Sequence, residues 1–96
     1  MIQAKIDLKR KAGTGHFSIL VADDNPFTRH LLNVSLKRHH YTVYEAKNGY
    51  QAIELLQVQK PDLIILDLVM PEMSGAQVCG WIRQRGMAVA ILVVTS

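Results

Sequence analysis

At 96 residues, 49 % apolar and 20 % charged, the chain has the size and composition of one folded domain or part of one, not of a disordered segment. Its longest uninterrupted apolar run, residues 87–94, is too short to cross a bilayer, and its N-terminus lacks a signal-peptide pattern, so a cytoplasmic compartment is expected; the single cysteine, Cys79, excludes an internal disulfide framework and any cysteine-rich metal site. The formal net charge of +3 sits wholly in residues 1–16, where Lys5, Lys9, Arg10 and Lys11 meet only Asp7, so 1–16 reads as a solvated basic tail or linker and 17–96, with seven basic and seven acidic side chains, as the domain.

After Gly13-Thr14-Gly15, the apolar run at residues 18–22 ends abruptly at Asp23-Asp24-Asn25-Pro26 and predicts a buried strand. Pro26 suits the first position of a helix, with Asp24 or Asn25 as its cap. Phe27, Leu31, Val34 and Leu36 predict the apolar side of that helix, and Lys37, Arg38, His39 and His40 place cations at its negative pole. Residues 41–45 predict a second strand. Asn48-Gly49 marks a turn, and Ala52, Ile53, Leu55, Leu56 and Val58 mark a second helix that stops before Pro61.

Leu63, Ile64, Ile65 and Leu66 are apolar at every position, the pattern of a strand covered on both faces. Asp67 stands at its C-terminal end. A loop with Pro71 and Gly75 leads to a third helix at about residues 76–85, whose apolar side holds Val78, Cys79, Trp81 and Ile82 and which Gly86 ends. Residues 88–94 predict a fourth strand. The order βαβαβαβ predicts an α/β fold built on an open parallel sheet.

Binding sites in such sheets lie beyond the carboxyl ends of the strands. The first strand brings Asp23 and Asp24 to that edge, the third brings Asp67, and the fourth brings Thr95 and Ser96. Three converging carboxylates stay ionised together only when a cation joins them, and an all-oxygen donor set favours a hard ion such as Mg2+. Cys79 and Trp81 fit packing, Met70 and Met73 fit loop packing, and His30, His39 and His40 lack partners at metal-ligand spacing.

Four segments resemble the receiver domain of two-component response regulators over residues 17–96. They are Ile-Leu-Val-Ala-Asp-Asp-Asn at 19–25, Glu-Ala-Lys-Asn-Gly-Tyr-Gln-Ala at 45–52, Pro-Asp-Leu-Ile-Ile-Leu-Asp-Leu-Val-Met-Pro-Glu-Met-Ser-Gly at 61–75, and Val-Val-Thr-Ser at 93–96. The third is the most specific. The resemblance implies a flavodoxin-like, CheY-like doubly wound fold. It implies Asp67 as the phospho-acceptor, taking its phosphoryl group from a histidine kinase or phosphotransfer protein. It further implies Mg2+ held by Asp24, by Asp23 through water, by Asp67 and by the backbone carbonyl of Val69. Thr95 would be the switch hydroxyl on the phosphoryl group and Ser96 the small residue beside it. Met70, Pro71 and Gly75 would shape the loop. No substrate turnover is implied, and no membrane or nucleic-acid contact.

The family's sheet has a fifth strand ending in a lysine that pairs with the acceptor, and further helices carrying an aromatic reporter and the usual output surface. This chain ends at Ser96 and is expected to be a partial receiver, with four of the five strands and three of the five helices. Neither Lys47 nor Lys60 follows the right strand to replace the missing lysine, so phosphorylation is expected to be weak. The strand at 88–94 is expected to be an exposed apolar edge through which copies of the chain associate. A start near Met1 favours a receiver-first regulator over a hybrid kinase. Two alternatives stand beside this reading: a shortened receiver acting as a protein-interaction module, and a hydrolase with an aspartyl-phosphate intermediate. Such hydrolases carry a second acid two residues after the nucleophile, where this chain has Val69.

Overall fold

A computed structural model of the chain describes residues 17–94; the basic tail at 1–16, with Thr95 and Ser96, lies outside the described residues. The elements run β1 (Ser18–Ala22), α1 (Pro26–Arg38), β2 (Thr42–Ala46), α2 (Gly49–Gln59), β3 (Leu63–Asp67), α3 (Gly75–Gln84) and β4 (Ala90–Val94). The four strands form one parallel sheet in the order β2-β1-β3-β4. This is the expected α/β, flavodoxin-like architecture, with boundaries shifted by one or two residues at β2, α3 and β4.

The two central strands are apolar throughout because both of their faces are covered. Leu20, Ala22, Ile64 and Leu66 point to one face, where Ala52 and Leu56 of α2 and Val78 and Ile82 of α3 close the main core. Ile19, Val21, Leu63 and Ile65 point to the other, where Leu32 and Leu36 of α1 pack. Each large aliphatic side chain fully buried in this way contributes about 1.5–3 kcal/mol. The outer strands are less covered: β4 has Ala90 and Val93 exposed, while Ile91 reaches the main core and Leu92 and Val94 the second one. At the N-terminal edge of the sheet the Asp62 carboxylate accepts from Ser18 N–H at 2.8 Å and from its hydroxyl at 3.2 Å, and Ala90 N–H donates to the Asp62 carbonyl at 3.0 Å. One residue thereby ties β1 to the starts of β3 and β4.

Local chemistry sets the helix ends. Asn25 caps α1, accepting from Phe27 N–H at 2.9 Å and Thr28 N–H at 3.3 Å; Asp24, the other candidate, is not the cap. Asn48 and Gly49 do not form a free turn. Asn48 is the cap of α2, accepting from Gln51 N–H at 2.8 Å, and Gly49 is already helical. Lys60, left-handed at φ 47°, ends α2 ahead of the buried Pro61. Ser74 and Gln77 form a reciprocal capping box at the start of α3.

The apolar side of α1 is not the one expected. Phe27, Leu31 and Val34 are exposed, at 70 %, 54 % and 43 % of their surface, and the sheet is covered by Leu32, Leu36 and the buried polar residue Asn33. Two apolar rows run along this helix. Leu36 lies nine residues from Phe27, about two and a half turns, and so belongs to the opposite side. The inner side is interrupted by Arg29 and Asn33 because it looks onto polar groups as well as onto the core. We expect Leu31→Gln to change unfolding free energy by less than about 0.5 kcal/mol, and Leu32→Ala to cost about 2 kcal/mol. Chemical denaturation of the two variants checks the assignment, and the reverse ranking would refute it.

Candidate functional site: an acidic pocket at the carboxyl edge of the sheet

Parallel pairing assembles the site. Ala22 lies opposite Leu66 and Ala46, so the next residue on β1, Asp23, comes to lie beside Asp67 at the end of β3. Carboxylate oxygens of Asp23, Asp24 and Asp67 all fall within 4.8 Å of one another. Asp23 and Asp67 are buried, at 8 % and 6 % exposure, while Asp24 is exposed at the mouth.

Each member is held by its own chain. Asp23 N–H extends the sheet ladder to the Ala46 carbonyl at 3.1 Å, and its carboxylate accepts from Asn25 N–H at 2.9 Å. Its carbonyl accepts from the Arg29 guanidinium at 2.8 Å. That guanidinium also pairs with Glu45 on β2 at 3.1 Å, and the second Glu45 oxygen accepts from Asn33 at 2.6 Å. The Asp67 carboxylate accepts from Val69 N–H at 3.1 Å. Val69 itself is in the loop after β3 with its side chain 70 % exposed.

That loop is tightly built. Met70 is buried in the main core and Met73 packs against it, which bears out their reading as packing residues. Met73 N–H closes a three-residue reversal onto the Pro71 carbonyl at 2.8 Å, with Glu72 between them at φ 69°, a left-handed conformation costly for a residue with a side chain. Gly75 opens α3 against the end of β3: its N–H donates to the Leu68 carbonyl at 3.0 Å, and a Cβ there would overlap the Asp67 carbonyl oxygen. Glycine is needed at 75 because the helix start and the acceptor strand touch.

The expected site residues of β1, β3 and the following loop are thus brought together, whereas Thr95 and Ser96 lie outside the described residues. Lys47 is exposed after β2, and Lys60 caps α2 at the opposite edge of the sheet. Neither periodicity nor motif spacing singles out Arg29, Asn33 and Glu45. Their signal was an arginine and an asparagine in line with Leu32 and Leu36 on one helix face. Cys79 and Trp81 are half-buried against the main core, with the Arg85 guanidinium 4.4 Å above the Trp81 ring.

Electrostatically the pocket is under strain. Burial pushes the Asp67 carboxyl above its ordinary 3.8, the Val69 N–H partly opposes this, and the charges of Asp23 and Asp24 add to the rise. Three oxygen donors that mutually raise the cost of ionisation fit a hard divalent cation. In the interval between 3.8 and the raised value the folded state binds more protons than the unfolded one, so this group alone makes stability fall as pH rises. Asp67→Asn keeps an oxygen for the Val69 N–H and removes the charge. It is expected to raise the cation-free melting temperature at pH 7 by a few degrees, and the gap should close as pH falls toward the ordinary carboxylate range. A melting curve series against pH checks this, and a gap that widens on acidification would contradict it.

Comparison with known proteins agrees with this geometry. Residues 19–96 match the family model described as the response regulator receiver domain. The chain is 38 % identical over 78 residues to the alkaline phosphatase synthesis transcriptional regulatory protein PhoP of Bacillus subtilis, covering 81 % of this chain and 32 % of that protein. It thus spans about a third of that relative's length. Among solved structures it is similar to a signal receiver domain from Vibrio parahaemolyticus (TM-score 0.81, 31 % identity, 84 % of this chain and 62 % of that one). It is also similar to the response regulator protein TrrA from Thermotoga maritima in complex with Mg2+ and beryllium fluoride (TM-score 0.77, 38 % identity, 81 % and 68 %). With the family match over most of its length and three acids gathered at the carboxyl edge of a β2-β1-β3-β4 sheet, this chain belongs to the response regulator receiver domain family.

Proposed function

We propose that the chain is a phospho-acceptor whose nucleophile is Asp67, charged by a histidine kinase or phosphotransfer protein. The observation that carries this reading is the convergence of three carboxylates around a buried, hydrogen-bonded Asp67 in a receiver-family chain. A carboxylate oxygen of Asp67 forms a bond to phosphorus as the phosphorus–nitrogen bond of a phosphohistidine breaks, and the imidazole leaves with the electron pair. Asp23, Asp24 and Asp67, with the backbone carbonyl of Val69, would hold Mg2+, as the Mg2+ complex of the Thermotoga relative supports. A bound divalent cation supplies charge neutralisation for the carboxylates and the incoming phosphoryl oxygens. The protein's own contribution is positional: the Val69 N–H fixes the rotation of the nucleophile, and Gly75 lets α3 close against it. The chain is the substrate of one transfer, not a catalyst of turnover.

A macromolecular donor must contact the rim of this pocket. The exposed row Phe27, Leu31 and Val34 begins three residues after Asp24 and runs away from the pocket along α1, a surface suited to an apolar helix of the donor. Among the described residues no helix is long and apolar enough to cross a membrane.

Incubating the 96-residue chain with acetyl phosphate and Mg2+ is expected to add a single phosphoryl group to a minor fraction of molecules. Intact mass analysis reads the addition, which Asp67→Asn and chelation of Mg2+ should each abolish. Labelling that survives Asp67→Asn would overturn the assignment of the nucleophile.

A second reading, as an interaction module, is favoured by one feature. Strand β4, Ala90–Val94, has no charged residue or proline, exposes Val93 and is an outer strand of the sheet. Pairing of this edge with a second copy predicts a concentration-dependent rise in scattering mass that Val93→Lys suppresses. A constant monomer mass at high concentration would exclude it.

A further inference from the structure

The inner side of α1 contains a cation where packing alone would place an aliphatic residue. The Arg29 side chain, on the same side of the helix as Leu32 and Leu36, is only 17 % exposed, and Asn33 beside it is buried. Burying an arginine costs desolvation, and a well-packed apolar residue often serves stability as well or better. The position therefore calls for a reason other than stability, and its contacts provide one. Arg29 donates to the Asp23 carbonyl at 2.8 Å and to Glu45 at 3.1 Å, and Asn33 occupies the second Glu45 oxygen at 2.6 Å. Glu45 is thereby held through both carboxylate oxygens by two residues one turn apart on α1, and through it Arg29 is fixed relative to β2.

The carbonyl that Arg29 grips belongs to the peptide joining Asp23 to Asp24. A peptide unit is planar, so holding its oxygen sets the plane from which Asp24 departs. The preceding peptide is held as well, because Asp23 N–H donates to Ala46 of β2 at 3.1 Å. Both anchors thus trace back to adjacent residues of β2, Ala46 directly and Glu45 by way of Arg29. The turn between β1 and α1 is referenced to a strand that supplies no carboxylate to the pocket.

We propose that Arg29, braced by Glu45 and Asn33, is a positioning residue that sets the Asp23–Asp24 turn for cation binding. The inference rests on the reading of the acidic pocket as a cation site. Charge and position pull in opposite directions here. A guanidinium next to the pocket repels an entering cation, so if Arg29 acted only through its charge, removing it would tighten Mg2+ binding. If it acts by positioning, removing it weakens binding, as losing a partner that orients a metal ligand commonly does by about 10- to 100-fold.

Calorimetric titration of the metal-free chain with Mg2+ alone separates the two. Arg29→Ala is expected to bind about 10-fold more weakly or worse, Arg29→Lys to recover part of the loss because an ammonium reaches one acceptor but does not fork to both, and Glu45→Gln to fall between Arg29→Ala and the wild type. Unchanged or tighter binding by Arg29→Ala, with a wild-type circular dichroism spectrum, would overturn the proposal. Hydrogen exchange without metal gives an independent reading: the Asn25 amide, which bonds the Asp23 carboxylate, should exchange faster in Arg29→Ala while the Val69 amide, which bonds Asp67, stays as protected as in the wild type. If the wild-type chain takes up no Mg2+, the cation-site reading fails and exchange alone decides Arg29; equal protection of Asn25 in both proteins then refutes its role.

Discussion

The parallel register of β1 against β3 is the constraint on which the rest of this domain depends. With Ala22 opposite Leu66, the next residue on each chain is an aspartate, Asp23 just past β1 and Asp67 at the end of β3, and they must lie side by side. A slip of one residue would separate them and turn every side chain of the strand to the other face. Burial accompanies this register: Ile19, Leu20, Val21, Ile64 and Leu66 are each at most 1 % exposed in it. At the opposite end Asp62 ties the strands together with hydrogen bonds from Ser18. The hydrophobic core therefore does more than stabilise the fold. It fixes the separation of two like charges.

That fixed separation is unfavourable for the protein alone. Two ionised carboxylates with oxygens within 4.8 Å repel by on the order of 3 kcal/mol at an effective dielectric near 20. Single hydrogen bonds from Asn25 and Val69 offset part of this for Asp23 and Asp67. The local backbone is also held away from its easiest conformation at Glu72, which is left-handed. Strain of this kind collects at sites whose geometry must be ready before a ligand arrives. A pocket with these properties gains from any partner that brings positive charge or spreads negative charge.

Helix α1 shows how one element serves both faces of this problem. Its inner row packs Leu32 and Leu36 on the sheet, and on the same side Arg29 and Asn33 engage Glu45 and the Asp23 backbone. Its outer row leaves Phe27, Leu31 and Val34 in solvent. Because the helix is capped by Asn25, the residue directly after the acidic pair, its placement on the sheet and the placement of the pocket cannot be changed independently.

Much of this was legible from the chain alone. The apolar run at 18–22 reads as a buried strand and that at 63–66 as a strand covered on both sides, and an acid directly after each belongs at the carboxyl edge, so Asp23, Asp24 and Asp67 were identifiable without coordinates. The stop before Pro61 follows equally from local stereochemistry, whereas the choice of Asn25 over Asp24 as the cap of α1 came from the structure. What local pattern could not settle was which side of α1 faces inward, because the helix carries two apolar rows and the inner one is interrupted by polar residues. That choice depends on what lies opposite: a buried carbonyl and Glu45 from a distant strand, which accept hydrogen bonds from Arg29 and Asn33 and leave Phe27 to solvent. Likewise, Gly75 is required by the approach of α3 to Asp67, a contact between segments that sequence spacing does not measure. Composition and periodicity determined the layers of this protein and the acids at their edge, since those depend on burial and backbone geometry summed along the chain. Tertiary structure decided the bracing of the pocket, because hydrogen bonds between α1, β1 and β2 exist only once the sheet has set their distances.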